Sequence, residues 1–407
     1  MKVALVTPGW PSSEFSNGIA TYVDVMRHGF AEIGVESIAL AIQTSGLVPA
    51  DVVPLADLTN RGRSPRDLLN RIRGRLFPHD QARIERAESI VRGINSLQKK
   101  IQPDLVEMEE TLGTFDLVAS KIDIPLVVRL HGPYFLNAAA LSDPHDRYYR
   151  NRVAWEKKTI TSAQFVTSPS TDLLQWVRRE YGISMTHAET IPNPLPPVTP
   201  GTQWVPELAD SNLILFVGRF DKHKGGDIML KAFAKVAAQR PNIKLAFVGP
   251  DWGLGDGIGG KTSYEQFVSS QIPDASIRNR IQRLGQKTSK EISSLRLQSA
   301  FTVVPSRYDN FPMTVLEGLS HGTPLIAART GGIPEMLVDQ QSGLLFEPEN
   351  INDLAQCMER LLDQPELAAR LASQGFEDAV TRFAPAVVAM QTKDYYEQVI
   401  KRFSVLR

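Results

Sequence analysis

The most informative stretch of the chain is SRYDNFPMTVLEGLSHGTP, residues 306–324, which is followed by GGIPE at residues 331–335. Pro312 suits the first turn of a helix, where its missing N–H needs no partner. Val315 and Leu319 then recur at helical spacing and supply a stripe to be buried. The N-terminus of such a helix carries unpaired amides and a partial positive charge, so this stretch predicts an anion-binding site.

Two carboxylates flank the predicted anion site. Asp309 precedes the helix, and Glu317 lies about 7 Å along its axis. This spacing suits a ligand with hydroxyl-rich groups on both sides of a diphosphate. It is equally typical of an acidic pair that caps and solvates a short helix, and spacing alone leaves both interpretations open.

A second group of charged residues follows the predicted strand at residues 213–218. Arg219 and Lys224 stand at its carboxyl end, and Gly225 and Gly226 allow close approach of a backbone. Arginine binds phosphate as a fork and lysine as a point charge. The stretch therefore predicts phosphate binding, although a basic surface turn is the alternative.

The first half of the chain offers two further candidates. Asn17 and Gly18 open a predicted helix after the first strand, where glycine lets backbone amides reach a phosphate. His131 ends the predicted strand at residues 125–130, again at a carboxyl end. A lone histidine is often structural, but ligands of open parallel sheets bind beyond the carboxyl ends of strands.

Strand and helix patterns alternate along both halves of the chain, which predicts parallel sheets covered by helices. Predicted strands occupy residues 2–8, 35–42, 104–108, 125–130, 165–168, 213–218, 244–249, 277–284, 301–305, 324–327 and 343–346. Five prolines between residues 191 and 201 interrupt the alternation and predict a stiff linker. The expected domains are residues 1–195 and 212–383, joined by a linker at 196–211, with a cleft between them as the default ligand site.

Composition excludes several classes of protein. The 407 residues contain 45 Lys+Arg and 45 Asp+Glu, so net charge gives no reason to expect a nucleic-acid partner. No apolar run approaches the roughly 18 residues that cross a bilayer, and the start reads as a strand rather than a signal peptide. The single Cys357 can form no internal disulfide. We expect a soluble, cytoplasmic protein.

One segment departs from this neutrality. From Arg61 to Lys100 the chain holds eleven basic residues against four acidic ones. Such a segment would contact an anionic membrane or a charged acceptor, which adds a peripheral location on the inner membrane face to the expectations. The alternative is a solvated face of long helices.

In this order, the motifs resemble family 4 of the glycosyltransferases, whose GT-B architecture has two Rossmann-like, doubly wound domains. The family's two acids separated by seven residues correspond to Asp309 and Glu317, followed by the Gly-Thr-Pro and Gly-Gly-x-Pro-Glu segments. Arg219 and Lys224 match its diphosphate pair. Asn17-Gly18 matches its glycine loop and His131 its histidine. The resemblance covers essentially the whole chain.

This sequence also departs from the family pattern. Asp309 stands where the family has glutamate, and Asn310 and Pro312 stand where it has glycines around the phenylalanine. Asn17 replaces the first of two glycines. These departures affect the identity of the sugar more than the class of reaction.

The resemblance implies transfer of a hexosyl or N-acetylhexosaminyl group from a nucleotide diphosphate sugar to a hydroxyl acceptor, with retention of configuration. Arg219 and Lys224 would neutralise the departing diphosphate, Glu317 would hold the ribose, and Asp309 and His131 the donor sugar. Further donor contacts are expected at Asn17, Gly18, Phe311, Pro312, Met313 and Thr314.

The acceptor would be a saccharide, a lipid-linked glycan or a small metabolite. No metal and no cofactor are expected, and the sequence has no Asp-x-Asp. The resemblance also implies that a helix at residues 385–403 packs back on the first domain.

Other functions compete with this one. Residues 255–262 read GDGIGGKT and fit the phosphate loop of NTPases, in which Lys261 would meet phosphate and Thr262 would hold Mg²⁺. The same fold would also serve a hydrolysing epimerase or a non-catalytic nucleotide-sugar-binding protein.

Overall fold

The computed structural model describes residues 1–15, 17–55, 78–98, 101–141, 145–198 and 201–405. They form two compact units. The first unit contains Met1–Phe135, His145–Pro194 and Pro385–Arg407, and the second contains Leu136–Pro144 and Leu195–Ala384. Eight of the eleven basic residues of the segment 61–100 lie outside the described residues.

The first unit is built on a parallel sheet of seven strands in the order β3-β2-β1-β4-β5-β6-β7. Its strands are β1 Lys2–Thr7, β2 Glu36–Ala41, β3 Val52–Pro54, β4 Leu105–Glu109, β5 Leu126–Arg129, β6 Val166–Ser168 and β7 Ala188–Thr190. Its helices are α1 Gly18–Glu32, α2 Pro78–Gln98, α3 Phe115–Ala119, α5 Arg147–Ser162 and α6 Thr171–Tyr181, while α4 Tyr134–Leu141 spans the boundary between the units. The central strands β4 and β5 are buried along their whole length because helices cover both faces of such a sheet.

The second unit is built on a parallel sheet of six strands in the order β12-β9-β8-β13-β14-β15. Its strands are β8 Asp210–Val217, β9 Lys244–Val248, β12 Ile281–Gly285, β13 Ser299–Val304, β14 Leu325–Ala328 and β15 Leu344–Phe346, with a separate hairpin of β10 Leu254–Gly255 and β11 Lys261–Thr262. Its helices are α7 Gly226–Ala237, α8 Tyr264–Gln271, α9 Ala275–Arg278, α10 Ser289–Gln298, α11 Met313–Ser320, α12 Ile333–Met336, α13 Ile351–Asp363 and α14 Pro365–Phe383.

The last helix, α15 Pro385–Val405, belongs to the first unit and packs on α1. Gly29 on α1 permits this packing, because a Cβ there would collide with the carbonyl of Pro385. Tyr396 of α15 is fully buried in the core of the first unit, and its hydroxyl donates to Glu107 on β4 at 2.6 Å. The helix therefore completes the core of the first unit.

The region predicted as a linker is anchored to the second unit. Trp204 is buried, donates its backbone N–H to the carbonyl of His321 at 2.8 Å, and donates its indole N–H to the carbonyl of Ser299 at 2.8 Å. Leu195 donates to the carbonyl of Phe383 at 2.7 Å. Hydrogen bonds at these two points, together with proline, set the path of the chain into the second sheet.

The predicted fold class, two Rossmann-like units with parallel sheets, is confirmed. The strand predicted at residues 277–284 is partly wrong, because its first residues form α9 and the strand begins at Ile281. Asp274 caps α9 by accepting from the N–H of Ser276, a local hydrogen bond that favours a helical turn over extension. Within the described residues, the structure contains no helix long and apolar enough to cross a membrane.

Candidate active site

The loop after β8 brings the two predicted phosphate-binding cations to one buried carboxylate. Asp221, which is 1% exposed, accepts a hydrogen bond from Nε of Arg219 at 2.7 Å with one oxygen. With the other it accepts from the backbone N–H of Lys224 at 2.7 Å. Because one rigid carboxylate fixes both positions, the loop presents its cations in a set geometry.

Two glycines allow neighbouring loops to meet this one. Gly225 has a φ of +68°, and a Cβ there would collide with the carbonyl of Pro305 at the end of β13. Gly331 has a φ of +54°, and a Cβ there would collide with the carbonyl of Asp309. Only glycine fits both the conformation and the space, so the loops after β8, β13 and β14 converge at the carboxyl end of the sheet.

Asp309 and Lys224 form an ion pair in this structure. Nζ of Lys224 lies 2.7 Å from Oδ2 of Asp309, which also accepts from the hydroxyl of Ser306 at 3.3 Å. Burial raises the pKa of Asp309, but the charges of Lys224 and then His223 outweigh it and hold the pKa below its usual value. Burial, followed by the charge of Lys224, lowers the pKa of His223 to about 4. Near neutral pH the Asp309 carboxylate is therefore ionised beside a neutral histidine.

Glu317 on α11 pairs with a cation that the sequence did not suggest. Nη2 of Arg296, on α10, lies 2.6 Å from Oε2 of Glu317. The Arg296 side chain is 1% exposed and that of Glu317 is 32% exposed, so the carboxylate reaches solvent while its partner does not. Arg296 thus fixes the orientation of the Glu317 carboxylate from its buried side.

The helix predicted from the signature forms as α11. Its N-cap is Pro312, and Met313 and Thr314 are half-buried in its first turn, where N–H groups have no partner within the helix. The Phe311 side chain is buried instead and meets Phe383 edge to face at 5.6 Å. The ring of Phe311, a predicted donor contact, therefore belongs to the core.

In the first unit, Asn17 and Gly18 begin α1 and are exposed. The Asn17 side chain accepts from the N–H of Ile19 at 2.8 Å and acts as the N-cap. An asparagine at this position thereby starts the helix while leaving the glycine beside it uncovered.

His131 follows β5 and is half-buried, with its ring 5.1 Å from that of Tyr22 in an edge-to-face arrangement. Burial, and then the charge of Arg129, lowers the pKa of His131 well below its usual value, so the imidazole is neutral. Its backbone is fixed by Glu110, which accepts from the N–H of His131 at 3.0 Å and of Gly132 at 2.7 Å. Glu110 is fully buried.

Sequence reasoning missed the group of buried acids to which Glu110 belongs, since no motif marks them. The buried acids are Glu107, Glu109, Glu110 and Glu156, and we call Glu109, Glu110 and Glu156, whose charges act on one another, the carboxylate cluster. Glu107 accepts from the hydroxyls of Tyr22 and Tyr396, and Glu156 accepts from Nε of Arg152 at 2.9 Å. Burial raises the pKa of all four, to about 7 for Glu109 and about 8 for Glu110.

The alternative of an NTPase phosphate loop is wrong. Lys261 and Thr262 are exposed on β11, which pairs antiparallel with β10. A phosphate loop needs a strand, a glycine-rich turn and then a helix whose first amides surround the phosphate. Here the glycines between Gly255 and Lys261 only close a hairpin. Among the described residues, no three His, Cys, Asp or Glu side chains are grouped to hold a metal ion.

Models of two protein families match the chain. Residues 203–378 match the glycosyl transferases group 1 model, and residues 16–197 match the glycosyltransferase family 4 model. An uncharacterised glycosyltransferase of Methanocaldococcus jannaschii is 33% identical over 190 residues, 47% of this chain and 49% of that protein. D-inositol 3-phosphate glycosyltransferase of Thermobifida fusca is 27% identical over 272 residues, 64% of this chain and 62% of that protein. The matches thus span about half to two thirds of these relatives.

Solved structures share the fold over nearly the whole chain. Sucrose-phosphate synthase from Thermosynechococcus elongatus superposes with a TM-score of 0.74 at 19% identity, covering 99% of this chain and all of that one. Anabaena HepE in complex with UDP-glucose superposes with a TM-score of 0.67 at 17% identity, covering 98% of this chain and all of that one.

Proposed function

Because the chain belongs to the glycosyltransferases of group 1 and family 4, we propose that it transfers a sugar from a nucleotide diphosphate sugar to a hydroxyl acceptor. The observation that carries the proposal is the group of Arg219, Asp221, Lys224 and Asp309 at the carboxyl end of the second sheet, which we call the cation cluster. Its two cations supply the positive charge that a diphosphate leaving group requires, and its two carboxylates fix their positions.

The chemistry we propose is the breaking of the bond between the anomeric carbon and the diphosphate oxygen, which keeps the electron pair. Arg219, Lys224 and the first amides of α11 stabilise the charge that develops there, which is commonly the largest catalytic contribution. The acceptor oxygen forms the new bond to the anomeric carbon and its proton passes to the departing diphosphate. This route retains configuration and uses neither a metal nor a cofactor.

We assign the remaining donor contacts by position. Glu317 accepts from the ribose hydroxyls, because its carboxylate reaches solvent while Arg296 maintains its orientation. Asp309 accepts from hydroxyls of a hexosyl or N-acetylhexosaminyl donor once Lys224 shares its charge with the diphosphate. Neutral His131 and the start of α1 at Asn17 and Gly18 contribute from the first unit.

The acceptor we propose is a saccharide, a lipid-linked glycan or a small metabolite carrying a free hydroxyl. The relatives named for D-inositol 3-phosphate favour none of these over the others, because they match only part of their length. A peripheral contact with an anionic membrane through residues 61–100, in a cytoplasmic protein, remains part of the proposal. Its test is binding to vesicles that rises with anionic lipid and falls with salt.

The experiment that tests the function is a thermal-shift screen against UDP, GDP, ADP and their common sugar conjugates. A ligand that binds only the folded state stabilises it by about 2.7 kcal/mol at one hundred times its dissociation constant. We expect one base to stabilise the protein, and Glu317→Ala to abolish that stabilisation without lowering the melting temperature of the free protein by more than a few degrees. Stabilisation by none of these nucleotides would contradict the proposal.

A donor that binds but is not transferred would favour the non-catalytic alternative. A donor that is consumed without an acceptor, with release of an epimerised sugar, would favour the hydrolysing epimerase. Product analysis by mass spectrometry and NMR of the anomeric proton distinguishes these outcomes and reports whether configuration is retained.

A further inference from the structure

We propose that Trp252 is the positioning residue for Arg219, acting by stacking on its guanidinium group, and this inference rests on the proposed function. The centre of the guanidinium lies 4.1 Å from the centroid of the Trp252 ring. Trp252 is 51% exposed, so its ring lies at the surface beside the guanidinium and not in the core. No motif in the sequence singled out this tryptophan.

The backbone brings Trp252 to Arg219 by a short parallel pairing beyond the sheet. Phe220 donates to the carbonyl of Pro250 at 2.9 Å, and the N–H of Trp252 donates to the carbonyl of Phe220 at 3.1 Å. Gly249 has a φ of +138°, and a Cβ there would collide with the carbonyl of Gly218. The loops after β8 and β9 therefore run side by side, and the stack is built into the fold.

Asp251 fixes the base of the β10–β11 hairpin, which follows it in the chain. One oxygen of Asp251 accepts from the N–H of Gly253 at 3.0 Å, and the other accepts from the N–H of Tyr264 at the start of α8 at 2.9 Å. Phe220 between the paired loops is 1% exposed and meets Tyr264 edge to face at 5.3 Å. Trp252 is thus held on both sides by structured backbone.

The contacts with Asp221 and Trp252 leave one edge of the Arg219 guanidinium group open to a ligand. Its Nε is bound by Asp221 and one face lies against Trp252, whereas within the described part of the chain Nη1 and Nη2 donate to no residue. The side chain is 30% exposed. A guanidinium held on one edge and one face can offer its remaining N–H groups to a diphosphate with little loss of side-chain entropy on binding.

A matched pair elsewhere in the chain provides the control. On α6, Arg179 lies 4.8 Å from the centroid of the Trp176 ring, and Trp176 is 40% exposed. This pair has similar geometry and exposure, but it lies on the first unit and no proposed ligand contact is near it in sequence.

The experiment measures UDP, GDP and ADP binding by calorimetry for the full chain and its variants. For the base that binds, we expect Trp252→Leu to raise the dissociation constant about 3- to 30-fold, the range given by cation–π energies. Trp252→Phe should recover part of that loss, and Trp176→Leu should change nothing. Melting temperatures of the free variants show whether folding is intact.

A double-mutant cycle identifies the route of the effect. If Trp252 acts through Arg219, Trp252→Leu has no further effect in an Arg219→Leu background; additive losses would mean direct contact with the ligand and would overturn the inference. An unchanged dissociation constant in Trp252→Leu overturns it as well. If none of the three nucleotides binds the unaltered protein, the proposed function fails first and the inference falls with it.

Discussion

The cation cluster of the second unit and the carboxylate cluster of the first unit contain the same kind of acid in opposite states. Asp309 is buried, yet the charge of Lys224 holds its pKa below the usual value. Glu110 is buried among backbone N–H groups and another acid, and burial raises its pKa to about 8. The two carboxylates differ in their partners. Asp309 faces the side-chain cation of Lys224, which can also bind a ligand, whereas Glu110 accepts from the backbone N–H groups of His131 and Gly132.

This contrast separates a binding site from a structural support. In the cation cluster, Lys224 and Arg219 keep 24% and 30% of their side chains exposed, so a diphosphate can reach them. In the carboxylate cluster, Glu110 and Glu156 are enclosed and hold the backbone of residues 131–134. The second unit therefore presents charge to a ligand, whereas the first uses buried carboxyl groups as hydrogen-bond acceptors that shape the loop carrying His131.

The largest expected effect follows removal of the cation from Asp309. Lys224→Met keeps the length of the side chain but leaves the diphosphate without one of its charges, and we expect kcat/KM for sugar transfer to fall about 10³-fold. Lys235→Met, on the exposed side of α7, is the control and should retain activity. Steady-state kinetics with the donor identified by the screen measures both, and a Lys224→Met loss below tenfold would contradict the assigned role.

The next effect concerns the carboxylate cluster. Glu110→Ala leaves the N–H groups of His131 and Gly132 buried without an acceptor, and we expect the free energy of unfolding to fall by about 2–4 kcal/mol. Urea denaturation measures the change. Glu265→Ala, at an exposed position on α8, should cost less than about 0.5 kcal/mol. Equal losses in the two variants would show that Glu110 does not support the loop.

A smaller effect appears as pH dependence. The pKa of Glu110 is raised to about 8 in the folded protein, against about 4.3 in an unfolded chain. Between these values the folded state keeps a proton that the unfolded state has released, so stability is greatest at low pH and falls as pH rises towards 8. The free energy of unfolding, measured at pH 5, 6.5 and 8, should fall less in Glu110→Gln than in the unaltered protein. The two falls should differ by at least about 1 kcal/mol between pH 5 and pH 8. An identical slope would mean that Glu110 is ionised throughout.

The last prediction is that neither a substitution in the β10–β11 hairpin nor removal of metal ions affects the activity. Lys261→Ala changes an exposed residue of the β10–β11 hairpin and should leave nucleotide binding and sugar transfer unchanged within twofold. EDTA should likewise leave transfer unchanged. Inactivation by both treatments would revive a metal-dependent NTPase and remove the distinction between the two clusters.

Much of this architecture was predictable because its signals are local. Strand and helix periodicity predicted the two sheets, and the sequence pattern placed Arg219, Lys224 and Asp309 beyond strand ends and Glu317 on the helix that follows. Arg296 was not predictable, since an arginine on an ordinary helix shows its partner only after the chain folds. Trp252 escaped notice for the same reason, because its meeting with Arg219 depends on the pairing of two loops. Phe311 was predicted as a donor contact, and the structure adds that its ring packs into the core.

The return of α15 to the first unit has a consequence for how the chain is made. Glu107 lies at the heart of the first sheet, but one of its two hydroxyl donors, Tyr396, is nearly three hundred residues further along. During synthesis, the second unit emerges from the ribosome before that donor does. The core of the first unit therefore stays incomplete around Glu107 until α15 has been synthesised. A nascent chain stopped before residue 385 should be far more sensitive to protease in its first half than the 407-residue chain.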